Sequence, residues 1–104
     1  MVYEERVYTI LPGRINDFAE RLQTIAVPIL AKHGGKIIGI WRTVIGQSNQ
    51  ITFILAYDDL GQRERVWDAF ARDPEWVEKG QTVFSLVDHI NNRILRPVPG
   101  SPLQ

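Results

Sequence analysis

Two consecutive strand-like segments, residues 36–46 and 50–58, are apolar on both faces, and this feature most limits what the chain can fold into. If side chains simply alternate along the first segment, its two faces carry the following apolar residues: Ile38, Ile40 and Val44 against Ile37, Trp41 and Ile45. A small antiparallel sheet needs only one apolar face, and the helices of a short chain cover only one. We therefore expect the second face to be covered by another copy of the chain.

The remaining segments show a regular order of strands and helices. Turn-forming residues 46–49 join the two apolar segments into a hairpin. Pro28 lies inside a helical pattern, where it predicts a kink or short break before Ile29. Asp73 and Pro74 suit the N-cap and first position of a new helix. The predicted elements are a strand 3–10, a helix 13–33, strands 36–46 and 50–58, helices 60–72 and 74–84, and a strand 88–96.

This order predicts the α+β, ferredoxin-like fold, a four-stranded antiparallel sheet with its helices on one face. Two such sheets packed face to face would form a homodimer, the dimeric α/β barrel. Residues 1–97 are expected to form this single domain. Residues 98–104 form a proline-rich, extended tail that could reach along a neighbouring subunit.

Composition excludes several classes of function. Twelve basic and twelve acidic side chains cancel, so the chain lacks the positive charge that nucleic acid or anionic lipid attracts. The chain contains no cysteine, and no apolar run approaches the roughly 20 residues of a membrane span. Met1 leads directly into a strand pattern rather than a signal segment. We expect a soluble, cytoplasmic protein with no nucleic-acid or membrane partner.

A series of short motifs runs nearly end to end in a fixed order. It consists of Tyr3-Glu4 with Arg6 and Tyr8, Pro12-Gly13, Pro28 through His33-Gly34, Gly39 with Trp41, Gly46 with Asn49, Tyr57-Asp58, Arg63 with Trp67, Asp73-Pro74-Glu75-Trp76, Ile94-Leu95-Arg96-Pro97 and Ser101-Pro102. In this series the chain resembles the NIPSNAP family within the dimeric α/β-barrel superfamily. The resemblance implies the dimeric barrel but little about activity, because the wider superfamily includes cofactor-free monooxygenases, haem-degrading enzymes, lactone isomerases and stress proteins.

The resemblance also implies a pocket between the sheet and the helices of one subunit. Candidate substrate-binding residues are Arg6, Tyr8, Trp41, Arg42, Asn49, Trp67 and Trp76. Candidate catalytic residues are His33 and Tyr57, which would move a proton, and Arg63, which would pair with a carboxylate or enolate oxygen. No metal or cofactor is expected.

Each candidate also has a structural interpretation. His33 would suit the negative end of a helix, and Asn49 would suit a turn. A salt bridge is the simpler explanation for Arg42, and Arg63 would pair with Glu4, Glu5 or Asp58. The tryptophans are more often core than ligand contacts.

Three hypotheses about function follow. The leading one is a dimeric protein that binds a small hydrophobic molecule, with metal-free oxygenation or isomerisation as its candidate reactions. The second is a non-catalytic assembly or stress module whose apolar faces serve oligomerisation alone. The third is haem binding or degradation with His33 or His89 as the axial ligand.

Overall fold

The computed structural model describes residues 1–104 and confirms the α+β, ferredoxin-like fold class. The elements in chain order are β1 (Val2–Ile10), α1 (Ile15–Arg21), a π-helical segment (Leu22–Ala26), α2 (Val27–Lys32), β2 (Lys36–Arg42), β3 (Gln50–Tyr57), α3 (Leu60–Arg72), α4 (Pro74–Phe84) and β4 (Val87–Leu95). The four strands pair antiparallel in the order β2-β3-β1-β4. All helices pack on one face of the sheet, hereafter the inner face. No helix of this chain combines the length and the hydrophobicity needed to cross a bilayer.

The central strand β1 shows the alternation that positions the site. Its even-numbered residues face the helices, and among them Val2, Tyr8 and Ile10 belong to the apolar core. Two charged residues, Glu4 and Arg6, share this inner face because side chains two positions apart point the same way. Glu4 is completely buried. A charged pair is thus built into the apolar side of the sheet.

Strand β2 departs from the predicted alternation because it contains a β-bulge. The pairing with β3 shifts between Ile37, which lies opposite Leu55, and Gly39, which lies opposite Ile54. The extra residue, Ile38, reverses the faces beyond it. The prediction that Ile38 and Ile40 share one face, and Ile37 and Trp41 the other, is therefore wrong. The inner face carries Ile37 and Ile40, and the outer face carries Ile38 and Trp41.

The predicted strand 36–46 is also too long. β2 ends at Arg42, and residues 43–49 form a loop in which Val44 and Ile45 are 91% and 94% exposed. Asn49 closes this loop with a positive φ of 62°, and its carbonyl accepts a hydrogen bond from the Ile10 N–H at 2.8 Å. The structure thus gives Asn49 the turn role that its side chain suits.

The first helical region is continuous, but one turn is π-helical. The irregularity lies at Leu22–Ala26, earlier than the predicted break before Ile29, and Pro28 then lies in the first turn of α2. A wider turn before the proline accommodates its missing N–H without separating the helices. The π-helical segment buries Leu22 and Ala26.

Asp73 and Pro74 begin α4 as predicted. The Asp73 carboxylate accepts a hydrogen bond from the Glu75 N–H at 2.9 Å, and Pro74 occupies the first turn. The same carboxylate accepts bonds from Lys32 Nζ at 2.9 Å and His33 Nε2 at 2.7 Å. Asp73 therefore ties the end of α2 to the start of α4.

The C-terminal tail folds back on its own sheet instead of extending away from it. The Tyr3 hydroxyl donates to the Gln104 carbonyl at 3.1 Å, and Leu103 lines an outer-face groove with Ile38 and Trp41. A turn at residues 99–100 directs the tail back over the apolar outer face of its own sheet. That the tail also reaches along a neighbouring subunit stays a prediction.

Candidate functional site

The centre of the site is the buried carboxylate of Glu4 on β1. Oε2 accepts hydrogen bonds from Arg63 at 2.8 Å, from Asn92 at 2.8 Å and from Arg6 at 3.0 Å. Oε1 accepts hydrogen bonds from the Tyr57 hydroxyl at 2.8 Å and from the Trp67 indole N–H at 3.3 Å. Strands β1, β3 and β4 and helix α3 each supply a partner, so the cluster joins the sheet to the helical layer.

These hydrogen bonds determine the ionisation of the cluster. Burial alone would raise the pKa of Glu4, but the bonds from Arg63, Asn92 and Tyr57 outweigh it and lower the pKa from 4.5 to about 2. Burial and the bond to Glu4 raise the pKa of Tyr57. At neutral pH the carboxylate is therefore ionised and the Tyr57 phenol is protonated.

Arg6 is held by three groups at once. Its Nη1 donates to Glu4 and its Nε donates to the Tyr8 hydroxyl at 3.1 Å. Its guanidinium carbon lies 4.3 Å from the centroid of the Trp67 ring, a cation–π contact. The Trp67 indole N–H in turn donates to Tyr57 at 2.8 Å. Arg6 therefore has a fixed orientation, and its Nη2 makes no hydrogen bond within the chain.

A cavity of about 40 Å³ lies beside Arg6, between the sheet and the helices. Ten of its eleven lining residues are hydrophobic, and the exception is Arg6. The sheet side is lined by Arg6, Tyr8 and Phe53, and the first helical region by Leu22, Ala26 and Leu30. The remaining wall is formed by Trp67, Phe70, Trp76, Val83 and Phe84. The π-helical turn contributes two of these residues, Leu22 and Ala26, which links the backbone irregularity to the cavity.

The structure brings four of the ten predicted site residues to this cavity: Arg6, Tyr8, Trp67 and Trp76. Tyr57 and Arg63 lie next to them in the Glu4 cluster but do not line the cavity. Arg63 pairs with Glu4, one of the three carboxylates predicted for it, and its buried Nε has no hydrogen-bond partner.

The remaining candidates lie elsewhere. His33 contacts Asp73 at the junction of α2 and α4. Trp41 lies on the outer face, and Asn49 lies in the loop before β3. Arg42 forms no salt bridge; its Nη1 donates to the Asn16 side-chain oxygen at 2.9 Å, because an amide rather than a carboxylate faces it from α1. His89 is exposed beside Asp88, so neither histidine borders the cavity.

Sequence reasoning missed Glu4 and Asn92 as members of the site. The signal for Glu4 was present, because strand alternation places it with Arg6 among Val2, Tyr8 and Ile10 on the inner face. A carboxylate at such a position must be paired. Asn92 had no such signal, since its role depends on the pairing of β1 with β4.

The fold and the site define a ferredoxin-like α+β protein with a charged cluster between sheet and helices. A variant of a cofactor-independent oxygenase from Streptomyces nogalater has the same fold, with a TM-score of 0.71 over 97% of this chain and 96% of that one. Its sequence identity is 14%, so this similarity concerns the fold alone.

The NIPSNAP family model matches residues 3–102, and the chain belongs to this family. A NIPSNAP family protein from Agrobacterium tumefaciens is 29% identical, with a TM-score of 0.95 over 99% of this chain and 98% of that one. Protein NipSnap homolog 3A from Homo sapiens is 30% identical over 104 residues, which are 98% of this chain and 41% of the human protein. The chain thus spans about two-fifths of that relative's length.

Proposed function

We propose that this protein is a homodimeric small-molecule-binding module whose ligand enters the cavity between sheet and helices. The observation that carries this proposal is the cavity wall itself, which is apolar except for one guanidinium held in place by Glu4, Tyr8 and Trp67. Binding sites typically combine an apolar lining with a few fixed polar groups.

The volume of the cavity limits the size of its ligand. A bound water needs roughly 10–15 Å³ by this measure, so about 40 Å³ holds about three waters. Pockets that hold drug-sized ligands have volumes of roughly 300–1,000 Å³. A larger ligand would have to displace side chains at the half-exposed part of the wall, where Phe84 is 47% exposed. Without such displacement, the cavity therefore suits only a very small ligand.

The three tryptophans of the chain provide the test, because each indole N–H gives its own signal in a ¹H–¹⁵N spectrum. Trp67 and Trp76 line the cavity, whereas Trp41 lies on the outer face and serves as an internal control. Titration with a small neutral probe, propionamide, is expected to shift the Trp67 and Trp76 signals in a saturable way. If all three signals stay unchanged with propionamide and also with its acid, propionate, or if only Trp41 moves, the proposed site is wrong.

The homodimer in this proposal rests on the outer face of the sheet. Ile38, Trp41 and Leu103 are exposed there around an apolar groove of about 370 Å³. The chain has no helix on this face to cover it, and a second copy offers a matching apolar surface across a two-fold axis.

Two aspartate substitutions distinguish a specific interface on the outer face from a general effect of losing exposed apolar surface. Ile38 and Ile40 have similar exposure, 37% and 41%, but lie on opposite faces of β2. Ile38→Asp is expected to give a monomer, because it buries an unpaired charge in the interface. Ile40→Asp is expected to remain dimeric. Light scattering coupled to size-exclusion chromatography measures both, and a stable Ile38→Asp dimer would refute the interface.

The small cavity specifically favours a second candidate, the non-catalytic assembly module. In that case the residual space of about 40 Å³ is only a packing gap beside the Glu4 cluster. The two functions differ in the indole titration, since an assembly module would form the dimer without any response from Trp67 or Trp76.

A further inference from the structure

We propose that the cavity is selective for a small monoanion of the short-chain monocarboxylate class, bound by Arg6 and Tyr8. This inference rests on the proposed binding function and specifies its ligand. It follows from the hydrogen-bond capacity of the cavity wall, the charge balance of the Glu4 cluster and the cavity volume.

The side chains of the wall offer unused donors and almost no acceptor. Arg6 Nη2 makes no hydrogen bond within the chain, since the other two nitrogens serve Glu4 and Tyr8. The Tyr8 hydroxyl accepts from Arg6 but donates to nothing. Trp76 likewise makes no side-chain hydrogen bond through its indole N–H. A ligand rich in acceptor atoms satisfies these donors, whereas a donor-rich ligand finds only a tyrosine oxygen that is already in use.

Burial keeps the Tyr8 hydroxyl available as a donor. Tyr8 lies in the apolar core against Phe18 and Phe53, with ring centroids 5.6 and 5.2 Å away. Its desolvation raises the pKa of the phenol, despite the opposing effect of Arg6. The phenol therefore stays protonated next to a bound anion.

The charges of the cluster do not cancel. Glu4 contributes one negative charge, while Arg6 and Arg63 each contribute a positive one. Arg63 is more exposed than Arg6, and the exposed Glu64 acts on it electrostatically without forming a salt bridge. Arg6 is the less exposed of the two cations and the one that lines the cavity, so the excess positive charge reaches the cavity wall through Arg6. A ligand with a single negative charge neutralises the excess positive charge of the cluster inside a cavity with little solvent.

Glu4 acts as a positioning residue in this arrangement. Its carboxylate fixes Arg6 Nη1, and Trp67 supports the guanidinium from one face at 4.3 Å. This leaves Nη2 as the guanidinium nitrogen that can donate to a second carboxylate. The volume of about 40 Å³ then limits the rest of the ligand to a few carbon atoms.

The experiment compares propionate with propionamide, which has nearly the same shape but no charge, at constant ionic strength. The Trp67 and Trp76 indole signals report binding, and circular dichroism confirms folding of each variant. Propionate is expected to bind at least about tenfold more tightly than propionamide, because charge-assisted hydrogen bonds are the stronger ones. Arg6→Met should reduce this preference to about twofold or less, and Tyr8→Phe should reduce it severalfold.

Arg93→Met is the matched control, because it removes an arginine that pairs with Glu5 on the outer face of the same sheet. This variant should keep the full preference for propionate. If Arg6→Met fails to fold, Tyr8→Phe and Arg6→Lys carry the test, since each removes a donor while retaining the bulk or the charge.

The possible outcomes distinguish the two proposals. Equal binding of acid and amide would overturn the anion selectivity while leaving an apolar binding site in place. The absence of binding by either probe would overturn both proposals. A propionate preference that is equally reduced by Arg93→Met would also overturn the assignment, because it would reflect the overall charge of the protein.

Discussion

Replacing Glu4 with glutamine tests the physical basis of the site, because it removes the charge and nearly preserves the shape. Five side chains donate hydrogen bonds to this carboxylate, and three of them, Arg63, Asn92 and Tyr57, donate to no other group in the chain. A glutamine can keep its carbonyl oxygen at the Oε2 position, but its NH₂ group then faces the Trp67 indole N–H and the Tyr57 hydroxyl at the Oε1 position, and the two arginines lose their shared anion. We therefore expect a large loss of stability at neutral pH.

The pKa of Glu4 sets the scale of this loss. Its fall from 4.5 to about 2, at about 1.4 kcal/mol per pKa unit, corresponds to about 3 kcal/mol of folding free energy. Breaking a buried ion pair costs about 3–5 kcal/mol in general, which is a loss of similar size. Because the folded-state pKa is depressed, this stabilisation is present above about pH 4.5 and is lost as the pH falls towards about 2.

The assay is urea unfolding followed by tryptophan fluorescence, at one fixed protein concentration because the proposed dimer would couple stability to concentration. The free-energy difference between the wild-type protein and Glu4→Gln should be about 3–5 kcal/mol at pH 7. This free-energy difference should decrease as the pH is lowered to about 2, because most of the contribution of about 3 kcal/mol from the Glu4 pKa is lost there. Glu5→Gln is the control on the same strand, where a more exposed pair with Arg93 predicts a loss of about 1 kcal/mol or less. A Glu4→Gln protein within 1 kcal/mol of the wild type, or a difference independent of pH, would refute this account of the cluster.

Two further substitutions test the packing around the site. In urea unfolding, Asp73→Ala should lower the free energy of unfolding by about 1–2 kcal/mol more than Asp73→Asn does, because asparagine can still cap α4 through the Glu75 N–H. Equal losses in the two variants would show that the contacts to Lys32 and His33 matter more than the cap. Gly80→Ala would place a Cβ 2.8 Å from Trp76 Cε2. The overpacking should cost about 1–3 kcal/mol, which exceeds the gain of about 1 kcal/mol in helix propensity. We therefore expect a less stable protein with a shifted Trp76 indole signal. A more stable Gly80→Ala protein with an unchanged Trp76 signal would contradict this packing.

The parts of the fold that the sequence predicts best depend on local chemistry. Asp73-Pro74 marks the start of α4 because capping and the proline ring act within a few residues. The bulge at Ile38 and the early end of β2 depend instead on how β2 pairs with β3, and Val44 and Ile45 look like strand residues in isolation. A hydrophobic pattern alone cannot distinguish an apolar strand from an apolar loop that lies beside it.

The candidate site likewise combines residues that local chemistry singles out with residues whose role depends on the fold. Arg6, Tyr8 and Trp67 could be selected as polar and aromatic candidates, and the structure brings them together around the cavity. His33 was selected on its chemistry, but the end of α2 places it against Asp73 instead. The role of Glu4 depends on partners that lie 53 to 88 positions away in the sequence, which no local pattern specifies.

A crystal structure of the protein grown with propionate would test the central claim most directly. The account predicts a propionate carboxylate within hydrogen-bond distance of Arg6 Nη2 and the Tyr8 hydroxyl, with its alkyl chain among the apolar residues of the cavity. A cavity without propionate, and with Arg6 turned towards solvent, would contradict it.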